Sequence, residues 1–455
     1  MNRAMLRPLG VAALLSMLSA CSTVGPNYAV PAESAYQRPA ANAAFLDTGN
    51  AQVQPGAALP ARWWALYQDP MLDGLIEQAL RDNVELKVAG ANLRRAAAVY
   101  EQAMDAGGFD YDVEAGVSRA QVSAEAFLQE EKLPVFNLAD GKFGVSYQFD
   151  LFGKLQRGAE AAHADTQVAQ AAIDLARVSV AAQVAGSYVE ICHANHELQV
   201  AAHSLQLQQH SRQITQRLIA AGRGTPPDLA RATAQVAMLE AALPPLRARR
   251  QAAGYQLAAL LGKTPGELPP GVDSCAHAPA VQQPIPIGDG RALLARRPDV
   301  RLADARGGGG EPATHAWSLG PLISWTLPSS GARARVRATE AGADAALAQF
   351  DNTVLQALRE VQTSLSRYAQ DLDRLHLLEQ AQQQAELASA QNRRLYQGGR
   401  TPYLSSLDAE RTLASAEMTL ANAQAQVSQD QIQLFLALGG GWDADAGRNT
   451  TTAAR

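Results

Sequence analysis

The stretch RLIAAGRGTPPDLARA, residues 217–232, returns later in the chain as RRLYQGGRTPYLSSLDAE, residues 393–410. The two stretches align at an offset of 177, which places Gly222 on Gly399 and Ala232 on Ala409. Each is a glycine-containing turn between two helical patterns, so each predicts a helical hairpin. A turn that occurs twice in this way indicates an internal duplication.

The helical patterns around the first turn are long. One runs from Leu155 to about Ala221, some 67 residues, and a return helix runs from Leu229 to Leu261. At 1.5 Å per residue the longer helix would extend roughly 100 Å. A helix of that length needs packing partners along its whole length, as helices have in coiled coils.

The duplication extends upstream of the turns, but not evenly. Residues 320–368 align with the region from Phe143 onward at an offset of 178, whereas residues 83–91 align with residues 297–305 at an offset of 214. The difference between the offsets 214 and 178 is 36, so the second half lacks about 36 residues. Four glycines, Gly307–Gly310, mark the junction, and we expect them to end a helix.

Two segments change from helical periodicity to strict alternation. In residues 109–122 apolar residues alternate with acidic and small ones, and residues 142–154 follow the same rule. Their length suits strands of a transmembrane barrel, although a lone hairpin of this pattern fits a soluble protein as well. A further alternating set, predicted as the last strand of the shortened half, comprises Trp317, Leu319, Ile323, Trp325 and Leu327.

The N-terminus has the features of an exported protein. Arg3 and Arg7 precede an apolar run, Leu9 to Leu18, that is too short to span a membrane as a helix. Leu18-Ser19-Ala20-Cys21 resembles a bacterial lipobox, which implies lipidation of Cys21; the alternative is an ordinary signal peptide containing a cysteine. The Pro-, Ala- and Asn-rich residues that follow, to about Pro60, predict an extended tether.

Composition excludes several function classes. The 455 residues carry a formal net charge of −5, with 47% hydrophobic and only 5% aromatic residues, which indicates long helices and argues against a nucleic-acid partner. We expect Cys192 and Cys275 to be free or loosely constrained thiols rather than a disulfide, because no paired spacing links them. His193 and His196 form the best zinc candidate but lack a third ligand, so we expect no metal, no cofactor and no enzymatic activity.

The chain resembles the outer-membrane efflux proteins, TolC-type outer-membrane factors, and most closely their lipoprotein (NodT-like) branch. The resemblance rests on motifs in their order: CSTVGPNY (21–28), WWALYQDPMLDGLIEQAL (63–80), FDLFGKL (149–155), ARRPDVRLADA (295–305) and GGRTPYLSSLDAERTL (398–413). It implies a homotrimer that pools strands into one barrel and long helices into a periplasmic tunnel. It also implies an adaptor protein and an inner-membrane pump as partners.

The resemblance further implies a gate near the second turn. Asp408 matches an aspartate of a constriction ring and Tyr396 matches a tyrosine that holds neighbouring coils shut. Ser405 stands where a second aspartate often lies, and Arg400 lies one place from the expected arginine, a position taken by Thr401. An exposed Asp408 paired with Arg411 on its own helix is the alternative. Asp228 and Arg231 at the first turn are candidates for a coil or adaptor contact.

The predicted fold is mainly α with a small β part: antiparallel coiled-coil helices forming a periplasmic tunnel, and strands given to a trimeric transmembrane β-barrel. The predicted function is a passive outer-membrane efflux duct; the alternative is a lipid-anchored periplasmic coiled-coil protein that lost its pore with the third strand. The predicted divisions are a signal peptide (1–20), lipid-anchored tether (21–62), periplasmic helices (63–108), transmembrane hairpin (109–152), first long helices (153–262), equatorial segment (263–306), shortened strand region (307–328), second long helices (329–438) and tail (439–455).

Overall fold

The computed structural model describes residues 27–46, 52–121, 134–150, 153–281, 283–308 and 330–440. Helices dominate this part of the chain. They are α1 (Pro70–Asp82), α2 (Val84–Asp105), α3 (Lys154–Ala220), α4 (Pro226–Leu260), α5 (Gly290–Arg296), α6 (Pro298–Gly308), α7 (Ser330–Gln397) and α8 (Tyr403–Ala437). Four strands accompany them: β1 (Val53–Pro55), β2 (Phe109–Ala120), β3 (Phe136–Tyr147) and β4 (Ile285–Gly288).

Both long hairpins turn in the same way. At the end of α3, Gly222 has φ 70° and the amide of Arg223 donates to the carbonyl of Leu218 at 2.8 Å. At the end of α7, Gly399 has φ 69° and the amide of Arg400 donates to Leu395 at 2.9 Å. Left-handed backbone favours glycine and satisfies carbonyls that the helix leaves open. The predicted helical hairpins are confirmed, with bounds within three residues of those expected.

The described residues form two compact units, one drawn from the ranges 1–29, 93–168 and 305–347, the other from the ranges 30–92, 169–304 and 348–455. The second unit contains the main core, in which Trp63 is fully buried and stacks on Phe435 with ring centroids 4.6 Å apart. Leu72, Leu75 and Ile76 of α1 add one apolar face to it. Asp69 caps α1 by accepting from the amides of Met71 and Leu72.

The expectation of an extended tether is wrong for its described part. Short 3-10 helices at Ala35–Gln37 and Pro39–Asn42 belong to the second unit, and the Ser34 hydroxyl donates to Asp351 of α7 at 2.6 Å. Further along, β1 pairs in parallel with β4, and Phe45 is buried. Buried apolar residues and a paired strand hold this segment in place, which a composition rich in Pro and Ala does not reveal.

The expectation of free thiols is also wrong, because Cys192 and Cys275 form a disulfide across a sequence separation of 83 residues. The side-chain amide of Asn195 donates to the carbonyls of Asp273 and Cys275, which holds the loop of residues 272–281 against α3. The two cysteines meet because the fold brings a loop onto the middle of a helix. A spacing rule in sequence does not detect such a pair.

α6 reaches Gly308, the second glycine of the run and the last residue described in this part of the chain. A Cβ at Gly307 would come within 2.8 Å of the Tyr28 hydroxyl, so the glycine makes room for that ring. The second strand differs from prediction: β3 begins at Phe136, inside the expected loop, and ends at Tyr147. Cys21, the signal segment and the alternating set from Trp317 to Leu327 lie outside the described residues.

Candidate functional site

The hairpin of β2 and β3 separates its side chains into two faces. The strands are antiparallel, with Phe109 opposite Tyr147 and Val113 opposite Phe143, and residues directly opposite each other share a face. One face is therefore apolar along nine residues of β2: Phe109, Tyr111, Val113, Ala115 and Val117, opposite Tyr147, Val145, Phe143, Gly141 and Ala139. This face is open to the surroundings, since Val113 is 77% and Val117 83% exposed.

The other face of the hairpin is polar and acidic. It carries Asp110, Asp112, Glu114 and Asp140, and Lys142 lies 3.8 Å from Glu114. Glycines stand opposite two of the aspartates, Gly144 opposite Asp112 and Gly116 opposite Asp140, and each aspartate occupies the space that a Cβ would fill. A fully exposed apolar face is costly in water, whereas one apolar and one polar face suit a strand pair between lipid and an aqueous lumen.

At the C-terminal ends of α3 and α7, both turns lie near one apolar cluster, which we call the turn-end cluster: Ala232, Tyr396, Tyr403 and Leu407. The rings of Tyr396 and Tyr403 have centroids 5.4 Å apart. Because Ala232 belongs to α4 and the others to α7 and α8, the cluster joins the two hairpins. Hydrogen bonds from α3 complete it, since Thr215 lies 3.3 Å from the Tyr396 hydroxyl and Gln208 donates to Tyr403.

The predicted gate residues occupy different environments. Tyr396 is buried, and burial raises the pKa of its hydroxyl, so it contacts coils of its own chain as a neutral group. Asp408 is exposed, and Arg411, its expected partner, donates instead to Gln235 of α4 at 2.8 Å. Arg400 is exposed at the tip of the turn. The structure thus brings Tyr396 into the cluster and leaves Asp408 and Arg400 outside it.

At the first turn, Asp228 has a local role. Its carboxylate accepts from Thr225 at 2.6 Å and lies 3.5 Å from Arg231. A carboxylate in the first turn of α4 stabilises that helix start through the helix dipole. Asp228 and Arg231 therefore contribute to the first turn of α4. Their expected contact with another coil or with the adaptor stays a prediction.

Sequence reasoning missed a buried ion pair beside the cluster. Glu410 of α8 is 8% exposed and lies 3.4 Å from the guanidinium of Arg393 on α7. Burial raises the pKa of the Glu410 carboxyl, and Arg393 opposes that rise. One signal in the sequence could have found this pair. Glu410 follows Tyr403 and Leu407 at helical spacing, which predicts that it lies on the same buried face of α8.

A membrane-compatible hairpin joined to two long helical hairpins defines a class, that of outer-membrane proteins with a helical extension. The family model described as outer membrane efflux protein matches residues 75–263 and 292–440. The chain therefore belongs to the outer membrane efflux protein family, and it is an outer-membrane protein.

Individual relatives agree with this assignment over nearly their full length. Nodulation protein T of Rhizobium leguminosarum bv. trifolii is 24% identical over 94% of this chain and 96% of its own. The pyoverdine export outer membrane protein OpmQ of Pseudomonas putida is 27% identical over 95% and 97%. The solved outer-membrane channel OprN superposes with a TM-score of 0.82 at 31% identity, covering 92% of this chain and all of OprN.

Proposed function

We propose that this protein is the outer-membrane duct of a tripartite efflux system. It conducts drugs or other small molecules passively from an inner-membrane pump and a periplasmic adaptor to the outside. The observation that carries the proposal is the β2–β3 hairpin, which over residues 109–117 of β2 has one exposed apolar face and one acidic face. Nine residues of alternating character are enough to cross a bilayer as a tilted strand.

A hairpin alone leaves unpaired strand edges, which lipid does not tolerate. Several copies must therefore pool their strands into a closed barrel, and we propose a homotrimer. Exposed leucines on α7, such as Leu355 at 51% and Leu377 at 64%, support contacts between long helices of different copies. We further propose that Cys21 is lipidated and anchors each copy in the outer membrane.

We infer that the chain arose by internal duplication with a later loss. Supporting this, α3 and α7 have 67 and 68 residues, and α4 and α8 have 35 residues each. Upstream, α2 has 22 residues and α6 only 11, as expected if the second half of a helix and the third strand are missing. The same shortening favours a second candidate function, a lipid-anchored periplasmic coiled-coil protein without a pore.

For the periplasmic end we propose distinct roles. Tyr396 fastens α7 to α3 of its own chain through Thr215, which keeps the two hairpins closed. Asp408, exposed near the second turn, forms a ring of three carboxylates in the trimer, which attracts cations to the constriction. Arg400 at the turn tip contacts the neighbouring copy, and Asp228 with Arg231 contacts the adaptor or an adjacent coil.

Conductance of the purified protein in planar bilayers tests the duct. We expect discrete single-channel steps from the wild type. Val113→Asp places a charge on the apolar face at mid-strand and should abolish insertion, whereas Ser118→Asp on the polar face should leave conductance intact. A stable wild-type trimer without conductance would refute the duct and favour the periplasmic coiled-coil protein without a pore. Equal conductance of both variants would overturn the assignment of the two faces.

A further inference from the structure

The disulfide between Cys192 and Cys275 lies in a loop contact that does not depend on it alone. Cys192 of α3 is fully buried, and the Cα atoms of the two cysteines are 4.9 Å apart. Asn195, three residues further along α3, donates to the carbonyls of Asp273 at 2.9 Å and Cys275 at 2.8 Å. These hydrogen bonds add to the disulfide in holding the loop backbone against the helix.

A histidine accompanies each cysteine. His196 follows Cys192 by four residues, which places both side chains on the same face of α3. His277 follows Cys275 by two residues in the loop. The rings of His196 and His277 have centroids 5.7 Å apart with an interplanar angle of 40°. The two imidazoles thus lie close to each other, one on each of the two segments that the disulfide joins.

This set has the composition of a tetrahedral zinc site. While the disulfide is closed both sulfurs are engaged, and within the described residues no three His, Cys, Asp or Glu side chains form a metal site. Tetrahedral coordination with Zn–N bonds of about 2.0–2.1 Å puts two imidazole centres roughly 5 Å apart. The observed ring separation is within about 1 Å of that, so the two imidazoles need little movement relative to each other.

Other charged groups of this region are already engaged. Glu197, the residue after His196, forms an ion pair with Arg249 of α4 at 2.6 Å. Arg249 also forms an ion pair with Glu190. His193 is 5% exposed, whereas His196 is half-buried and His277 is exposed. Solvent therefore reaches these four side chains through the imidazoles of His196 and His277, and a cation can enter from that side.

We propose that reduction of the disulfide converts Cys192, Cys275, His196 and His277 into a site for one divalent zinc-class cation. An external dithiol reduces the bridge and becomes a disulfide, which leaves two thiols in this chain. The cation then displaces the two thiol protons and binds two thiolates and two neutral imidazoles. Oxidation by an external disulfide reverses this: the sulfurs re-form their bond, the oxidant takes two protons from water and leaves as two thiols, and the cation is released.

The experiment uses the full chain purified in detergent, with Co²⁺ as a spectroscopic probe. After reduction with a phosphine, we expect the wild type to bind one Co²⁺, with thiolate-to-metal charge transfer and the visible bands of tetrahedral cobalt. Added Zn²⁺ should remove these bands. The oxidised wild type should show none, because both sulfurs are bonded to each other.

Variants separate this site from adventitious binding. His196→Ala with His277→Ala keeps the disulfide but should weaken Co²⁺ binding more than about 100-fold, since losing a residue that only orients a metal ligand already costs about 10–100-fold. His203→Ala, which removes an exposed histidine of the same helix, should bind as the wild type does. His193→Ala should also bind normally, and a loss there would reassign the nitrogen ligand.

Three outcomes would overturn the proposal: no Co²⁺ bands in the reduced wild type, unchanged affinity in the double histidine variant, or bands without thiolate charge transfer. Circular dichroism of the reduced protein must show retained helicity, and its loss on reduction would count against a site that needs the folded loop contact. Failure here leaves the efflux function untouched, since conductance of the oxidised protein is measured independently.

Discussion

In the first half of the chain, the side-chain amide of Asn83 donates to the carbonyl of Leu260 at 2.9 Å; in the second half, the guanidinium of Arg297 donates to the carbonyl of Ala437 at 2.8 Å. Both contacts join the start of a short helix to the last turn of a return helix. Gly262 and Gly439 follow those helix ends with φ 69° and 67°. The two halves meet the same need, a donor for a buried carbonyl, with different chemistry.

The halves differ far more at the strand end. Near the start of α3, Ala162 and Ala164 are buried, whereas residues 333–345 of α7 are all exposed. The corresponding upstream helices are α2 with 22 residues and α6 with 11. Among the described residues the two halves are thus alike where helix ends require specific partners and differ near the starts of the two long helices. Substituting residues that differ between the halves tests which of these differences contribute to the free energy of unfolding.

The largest effect is expected from Arg297→Met. Arg297 is buried, binds Asp299 and Glu360 at 2.7 Å each, and its loss leaves the Ala437 carbonyl without its donor. We expect the free energy of unfolding to fall by about 3 kcal/mol. Thermal unfolding followed by circular dichroism measures it, with Arg333→Met, an exposed arginine, as control. A fall no larger than that of the control would refute the role of this contact.

Asn83→Ala should cost less, about 1–2 kcal/mol, because a neutral amide is lost. The same side chain caps α2, since its oxygen accepts from the amide of Leu86 at 3.1 Å. Asn83→Asp keeps the acceptor and removes the donor, so it separates the cap from the contact with Leu260. If Asn83→Ala proved as costly as Arg297→Met, the ion pairs of Arg297 would contribute nothing.

Gly222→Ala and Gly399→Ala should each cost about 1 kcal/mol, because alanine is strained at positive φ. At Gly399 the added Cβ also meets the guanidinium of Arg223, a flexible side chain that can move aside. Gly342→Ala is the matched control, as Gly342 lies within α7 with nothing near its Cβ position, and it should stabilise the helix. In thermal unfolding, the two turn variants should therefore lower the free energy of unfolding and the helix variant should raise it. A stabilising effect at either turn would contradict this expectation.

The smallest effect is a dependence on pH at one aligned position where the two halves differ. Burial, with Asp371 nearby, raises the pKa of Asp430 to about 6, and Ala253 occupies the aligned position of the first half. The stability due to protonated Asp430 is complete below the unfolded pKa near 4 and is lost as pH rises through 6. After discounting for solvent screening, the loss between pH 5 and 7 should stay under about 1 kcal/mol.

Asp430→Asn should flatten this part of the stability profile, measured as the unfolding midpoint from pH 4 to 8. Asp373→Asn, an exposed aspartate of α7, serves as control and should follow the wild type. A wild-type midpoint that rises between pH 5 and 7, relative to Asp430→Asn, would have the wrong sign and would exclude a raised pKa at this position.

Much of the helical framework was predictable from sequence. Long helices with 3.6-residue periodicity end at glycines whose positive φ only glycine adopts readily, so the bounds near Gly222 and Gly399 follow from local chemistry. The alternation that began at Phe109 predicted a strand, but the start of β3 at Phe136 depended on pairing register, which no single strand encodes.

The candidate sites were less predictable. Tyr396 was selected by resemblance, but its partner Thr215 lies 181 residues away and becomes visible only when α3 and α7 pack. Glu410 with Arg393, and Cys192 with Cys275, were missed for the same reason. Pairs that are distant in the chain have no periodic signature, so local patterns cannot identify them.

The sequence by itself determined the long helices, the two turns, the two faces of the hairpin and the family, because these follow from periodicity, glycine backbone freedom and ordered motifs. Only the tertiary structure decided which polar groups are buried together, that the segment before Trp63 is packed, and that the cysteines are joined. Burial and long-range contact depend on how helices pack, and packing energy is shared among many residues that no short stretch contains.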